Sequence, residues 1–148
     1  FTREIMNRLG EVAFWTIAMR PGRPMAFGRI GQASYFGLPG NPVAVMITFL
    51  FFVRDALIRQ SGASPRPVLS VPVRSMMAIR KKPGRTEYQR AIVGLGEDGV
   101  LQARLTGSQG SGVLRSMSEA NCLMVLRHDQ AAIESGDIVD AILFEGLV

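Results

Sequence analysis

Apolar and polar positions along the chain fall into two regimes, a mixed first part and a strand-like second part. Residues 2–10 (TREIMNRLG) place apolar residues on one face of a helix that Gly10 stops, and residues 12–19 (VAFWTIAM) are apolar enough for a buried strand. Together they predict an αβ unit. The run Arg20-Pro21-Gly22-Arg23-Pro24 is a turn pinned by two prolines, and residues 25–30 and 33–38 read as two short strands about Gly31-Gln32. Next comes Gly37-Leu38-Pro39-Gly40-Asn41-Pro42, in which the prolines restrict the backbone and Gly40 supplies one hinge. Asn41 suits an N-cap and Pro42 the first helical position, so a helix is predicted over residues 42–60, with Gly62 as its C-terminal cap and an anion favoured at its start.

Residues 63–67 (ASPRP) form a linker, after which the period changes to two. Strands are predicted over 68–79, 86–94 and 100–105, with Gly96-Glu97-Asp98-Gly99 as a hairpin turn. The polar loop Gly107-Ser108-Gln109-Gly110-Ser111-Gly112 precedes a short helix near 113–119, and strands at 122–126 and 138–144 close the pattern. The fold class is therefore α/β followed by all-β. The domains are residues 1–64, the end of an α/β domain, and 65–148, a small β-barrel.

Composition narrows the function classes. With 148 residues and 47% hydrophobic content, the chain can bury a real core, and disorder is not expected. The longest apolar stretch, residues 43–53, is shorter than the roughly 20 residues a bilayer requires, so no membrane segment is predicted. One cysteine, Cys122, fits a cytoplasmic setting. The net charge of +5 rests almost wholly on arginine, since Lys81 and Lys82 are the two lysines. The arginines are scattered, which argues against a nucleic-acid partner. A guanidinium fork does match a tetrahedral oxyanion. The carboxylates have no ligand-like spacing and His128 stands alone, so no metal site is predicted within these residues. Met76, Met77, Met117 and Met124 read as core filler.

Five segments carry a resemblance: Phe14-Trp15, residues 17–28 (IAMRPGRPMAFG), the GLPGNPVAV stretch from Gly37, residues 83–90 (PGRTEYQR), and residues 107–112 followed by MSEAN. In this order and at these spacings the chain resembles the C-terminal part of molybdopterin molybdenumtransferases, a family related to the gephyrin E domain. The resemblance implies the end of a molybdopterin-binding α/β domain followed by a C-terminal β-barrel domain. It also implies a transferase that inserts molybdate into adenylylated molybdopterin, releasing AMP with help from Mg²⁺, in a complete protein that is a homodimer. The metal-binding acidic residues would lie upstream of Phe1, so these residues alone are expected to be inactive.

Carried over residue by residue, the resemblance assigns Arg20, Arg23, Pro24, Pro39, Gly40, Asn41, Pro42, Arg90 and Ser111 to the binding of molybdate or phosphate. Each has a plainer reading. Arg20 and Arg23 would be exposed turn residues, Asn41 a helix cap, Arg90 a strand-surface charge, Ser111 the N-cap of the short helix, and Arg85 a solvated turn residue. Thr16 stands where relatives commonly carry lysine and Ala44 where many carry serine, which removes two anion contacts. The alternative is a gephyrin-like assembly or protein-interaction module without catalysis.

Overall fold

A computed structural model describes residues 2–145 of the chain; Phe1 lies outside them. The chain forms two units, residues 1–17 with 22–65, and residues 18–21 with 66–148. The first unit carries α1 (Thr2–Leu9), β1 (Glu11–Thr16), β3 (Pro24–Ile30), β4 (Ala33–Gly37), α2 (Pro42–Thr48) and α3 (Arg54–Gln60). The second carries β2 (Met19–Arg20), β5 (Ser70–Ser75), β6 (Thr86–Leu95), β7 (Leu101–Leu105), α4 (Arg115–Ser118), β8 (Cys122–Leu126) and β9 (Ile138–Leu143).

In the first unit, β1, β3 and β4 make an antiparallel sheet in that order. Pairs such as Phe14↔Ala26, Thr16↔Pro24 and Ala26↔Gly37 set its register. The β3–β4 hairpin turns at Gly31, whose φ of +59° is open to glycine. β1 and β3 approach so closely that a Cβ at Gly28 would lie 2.0 Å from the Glu11 carbonyl oxygen. The buried strand expected over 12–19 is instead two strands of different sheets, because the Ile17 N–H turns back to the Arg23 carbonyl while the Ala18 carbonyl accepts from Thr86. Only Val12 of β1 is buried.

The helix expected over 42–60 runs its full course, but with a π-helical turn at Phe49–Val53, where the Arg54 N–H reaches back to the Phe49 carbonyl. That extra residue re-phases the apolar stripe. Val43, Ala44, Ile47 and Thr48 are buried, and the stripe resumes five residues later at Val53, leaving Phe52 outside. Thr48 satisfies its hydroxyl on the Ala44 carbonyl at 2.7 Å. Gly62, at φ +85°, ends the helix: its N–H bonds to Arg59 O and that of Ala63 to Ile58 O, a Schellman motif.

In the second unit the order β6-β7-β5-β9-β8 returns to β6, which closes a five-stranded barrel, and β2 adds outside it in parallel to the start of β6. Ala91, Ala103 and Ala141 face Val73, Cys122, Met124, Leu126 and Val139 in its core, small residues opposite large ones. The Cys122 thiol is fully buried, and burial raises its pKa to about 11. Of the four methionines expected in the core only Met124 is fully buried. Met76 and Met77 are exposed, because they follow β5 on a bend rather than within the barrel wall. No helix among the described residues is long and apolar enough to cross a membrane.

Candidate functional site

Arg90 organises one side of the barrel unit. It sits on β6, and although a strand-surface charge was its plainer expectation, it is 1% exposed. The reason is the loop after β7, which folds over it. Its Nη2 donates to the carbonyls of Ser108 and Gly110 at 3.1 and 3.0 Å, Nη1 donates to Gln109 O at 3.2 Å, and Nε donates to the Ser116 hydroxyl at 3.1 Å. The polar Gly/Ser-rich loop has no apolar side chains with which to pack, so a five-donor fork holds it from beneath.

Two neighbours complete the arrangement. The Gln109 amide brackets the Arg90 backbone, accepting from its N–H at 2.8 Å and donating to its carbonyl at 3.0 Å, as a strand partner would. Thr106 Oγ1 donates to Ser116 O at 2.8 Å, tying the loop to α4. Ser111 lies in a turn of this loop, directly after Gly110. It is not the N-cap of the short helix: α4 begins later than expected, at Arg115, with Leu114 in that position.

Every acceptor for the Arg90 guanidinium is neutral, and among the described residues it has no ion pair. Burial lowers its pKa, and the charge of Arg20 lowers it further. Arg20, on β2, is exposed, and its side chain makes no hydrogen bond or ion pair with any described residue. The two guanidinium groups are thus close enough for the charge of one to be felt by the other, with Glu87 as the strand partner of Arg20. Arg85 does not share in this, because its Nε is committed to the buried Glu87 carboxylate at 2.8 Å.

In the first unit, a cavity of about 400 Å³ is lined by Phe14, Thr16, Pro24, Ala26, Tyr35, Gly37, Leu38 and Pro39 among others. It lies at one end of the three-stranded sheet and is walled by the stiff loop. Of the site residues expected in this unit, Pro24 and Pro39 line the cavity. Gly40, Asn41 and Pro42 continue the loop into α2 and are exposed, as is Arg23. Asn41 takes the extended backbone of an N-cap (φ −76°, ψ 129°), but its side chain makes no capping hydrogen bond, contrary to the plainer expectation. The first turn is held by Val45 N–H on Asn41 O at 2.9 Å and by Pro42 at the first position.

Sequence reasoning thus picked out members of two groups, Arg20, Arg90 and Ser111 on the barrel unit and Pro24 and Pro39 at the cavity. It missed Gln109, Thr106, Ser116 and Tyr35. The signal for Gln109 was present, as the one long side chain in a loop of Gly and Ser; Tyr35 had none. Among the described residues no three His, Cys, Asp or Glu side chains come together.

Residues 1–59 match the family model described as the probable molybdopterin binding domain, and residues 72–144 match the MoeA C-terminal region, domain IV. Molybdopterin molybdenumtransferase of Haemophilus influenzae is 32% identical over 141 residues, covering 94% of this chain and 35% of that protein. Gephyrin of Dictyostelium discoideum is 30% identical, covering 95% of this chain and 23% of its own length. The crystal structure of the molybdopterin biosynthesis MoeA protein of Pyrococcus horikoshii superposes with a TM-score of 0.71 at 26% identity, covering 91% of this chain and 33% of that one. The chain spans about a third of the length of the transferase it matches. With both parts matched in chain order, and with sequence relatives and solved structures of one kind covering nearly all of it, the chain belongs to the molybdopterin molybdenumtransferase family and corresponds to its C-terminal part.

Proposed function

We propose that the chain is the C-terminal part of a cytoplasmic transferase of molybdenum cofactor assembly, and that its barrel unit contributes an oxyanion subsite built on Arg20 and Arg90. The observation that carries this reading is the pair of guanidinium groups near one another, one buried on neutral acceptors and one uncommitted. Arg20 contacts the anion directly, as an exposed planar fork suited to two oxygens of molybdate or of a phosphate. Arg90, with its donors engaged by three loop carbonyls and the Ser116 hydroxyl, supplies field and holds the loop that carries Ser111. Arg23, Gly40, Asn41 and Pro42 belong to the same binding function on the first unit.

In the complete protein the substrates are adenylylated molybdopterin and molybdate. A molybdate oxygen attacks the adenylyl phosphorus and breaks the phosphoanhydride, leaving the phosphate on the pterin; the two dithiolene sulfurs then bind molybdenum, so that the bridging oxygen departs with AMP and a second oxygen departs as water with the two thiol protons. Mg²⁺ would neutralise phosphate charge, held by acidic residues outside this chain, and a homodimer is the expected assembly. These residues bind and orient anions and carry no proton-transfer group for the step. Calorimetric titration of the chain with molybdate tests the subsite. Arg20→Ala should weaken binding at least about tenfold, the loss of one charge-assisted contact, with an unchanged unfolding temperature because the side chain is exposed. Equal affinity in the variant would refute the assignment.

A further inference from the structure

The cavity of the first unit is chemically unlike the arginine pair. Its lining carries no charged side chain; Phe14, Pro24, Leu38 and Pro39 give apolar walls, and besides the Trp15 indole the polar side chains are the hydroxyls of Thr16 and Tyr35. Neither hydroxyl makes a hydrogen bond to any described residue, although Tyr35 is half-buried. Both are free to meet a ligand.

The placement of Tyr35 is built into the strand. Tyr35 and Gly37 are two apart on β4 and share a face of the sheet, opposite Gly28 and Ala26 of β3. A Cβ at Gly37 would lie 3.2 Å from the Tyr35 hydroxyl oxygen and 2.9 Å from the Ala26 Cβ. Glycine within a strand weakens it, yet here it makes the space in which the phenol lies along the strand. Rigid Leu38-Pro39 follows at once as the cavity wall.

We propose that this cavity is a subsite for a neutral, planar heteroaromatic ring, and that Tyr35 sets its specificity by hydrogen-bonding the ring's polar edge, with Thr16 as second reader. Flat apolar walls hold the faces of such a ring, and two uncommitted hydroxyls can each donate or accept at its edge. A bare oxyanion has nothing here to offset the loss of its hydration. The inference rests on the proposed function for its ligand: the ring comes either from the pterin or from the adenine of the adenylyl group.

The chain's one tryptophan, Trp15, lines the cavity and reports on it by fluorescence. The chain is titrated separately with 6-hydroxymethylpterin, adenosine and molybdate. One of the two ring compounds should change Trp15 emission saturably, and which one identifies the source of the ring; molybdate should leave the emission unchanged. Tyr35→Phe should weaken ring binding roughly five- to tenfold, as for one neutral hydrogen bond, and Thr16→Val by no more than that. Both variants should unfold at the wild-type temperature. No Trp15 response to either ring at millimolar concentration, equal affinity in Tyr35→Phe, or displacement of the ring by molybdate would each overturn the subsite. A chain that binds molybdate through Arg20 but no ring refutes this inference alone, whereas one that binds a ring but no molybdate refutes the oxyanion reading alone.

Discussion

Replacing Arg90 by methionine tests whether the buried guanidinium holds the loop over the barrel. Methionine keeps much of the aliphatic volume and removes every donor, freeing the carbonyls of Ser108, Gln109 and Gly110 and the hydroxyl of Ser116. A hydrogen bond from a charged donor is worth ~1.5–3 kcal/mol, and these four acceptors would suggest a large total. Two effects reduce it. The loop is partly exposed, so its carbonyls regain water once freed, and a charge no longer has to be desolvated. Ser116, itself buried, keeps its donation to the Val113 carbonyl at 2.7 Å but loses the guanidinium donor to its oxygen. The net expectation is a loss of about 2–3 kcal/mol, hence a fall of roughly 10–20 °C in the unfolding temperature for a domain of this size. Calorimetry measures the first quantity, and hydrogen exchange at residues 107–112 should show the loop's amides exchanging faster than the rest of the barrel. Arg90→Lys, with three donors at one point instead of a fork, should fall between. If Arg90→Met unfolds within the error of the wild type, or loop exchange is unaltered, the side chain is not the anchor described. A corollary concerns function: loss of cofactor formation in Arg90→Ala would mix binding with stability, so Arg20→Ala is the cleaner variant.

Cys122 gives a pH dependence. Its folded pKa is raised from 9.0 to about 11 by burial, so the folded state holds the proton more tightly than the unfolded chain. The stability this confers is fully present below pH 9.0 and is lost as pH rises through about 11. Denaturation against pH should show that decline, reduced in Cys122→Ala, and a thiol reagent should label the native protein at neutral pH only as fast as it opens. Gly28→Ala should destabilise the first unit by ~3 kcal/mol or more, because its Cβ would meet the Glu11 carbonyl oxygen at 2.0 Å and neither strand can retreat without losing the ladder. A variant as stable as the wild type in thermal unfolding would contradict that close approach.

Where local chemistry decides conformation, the sequence was legible. Proline at the first helical position and glycine after the last one bracket the long helix, and β8 falls at residues 122–126 as the apolar run predicts. The π-helical turn was not legible, since an unbroken run from Phe49 to Val53 carries no mark of which residue is to be displaced. Nor was the break after Thr16, because residues 12–19 are apolar but for that one threonine and the division depends on a partner, Thr86, far along the chain. At the site, residue types pointed to Arg20 and Arg90 as charges, but the burial of Arg90 is a property of the loop that covers it. Tyr35 was invisible for the complementary reason: an aromatic residue in a strand is ordinary until the glycine two positions on is seen to lie beneath its hydroxyl.

The short strand Met19–Arg20 joins the barrel unit while the residues on both sides of it belong to the other. During synthesis this strand leaves the ribosome long before Thr86 and Glu87, its partners, exist. Most of the first unit is translated while its own chain still carries an unpaired piece of the second. Cutting the polypeptide at the linker after Ser64 would not separate two intact domains either. It would release a barrel whose β6 lacks its outer neighbour, and leave Arg20 on the wrong piece. Domain-dissection experiments on this family would therefore have to carry residues 18–21 with the barrel, for instance by circular permutation, to obtain a second unit that is whole.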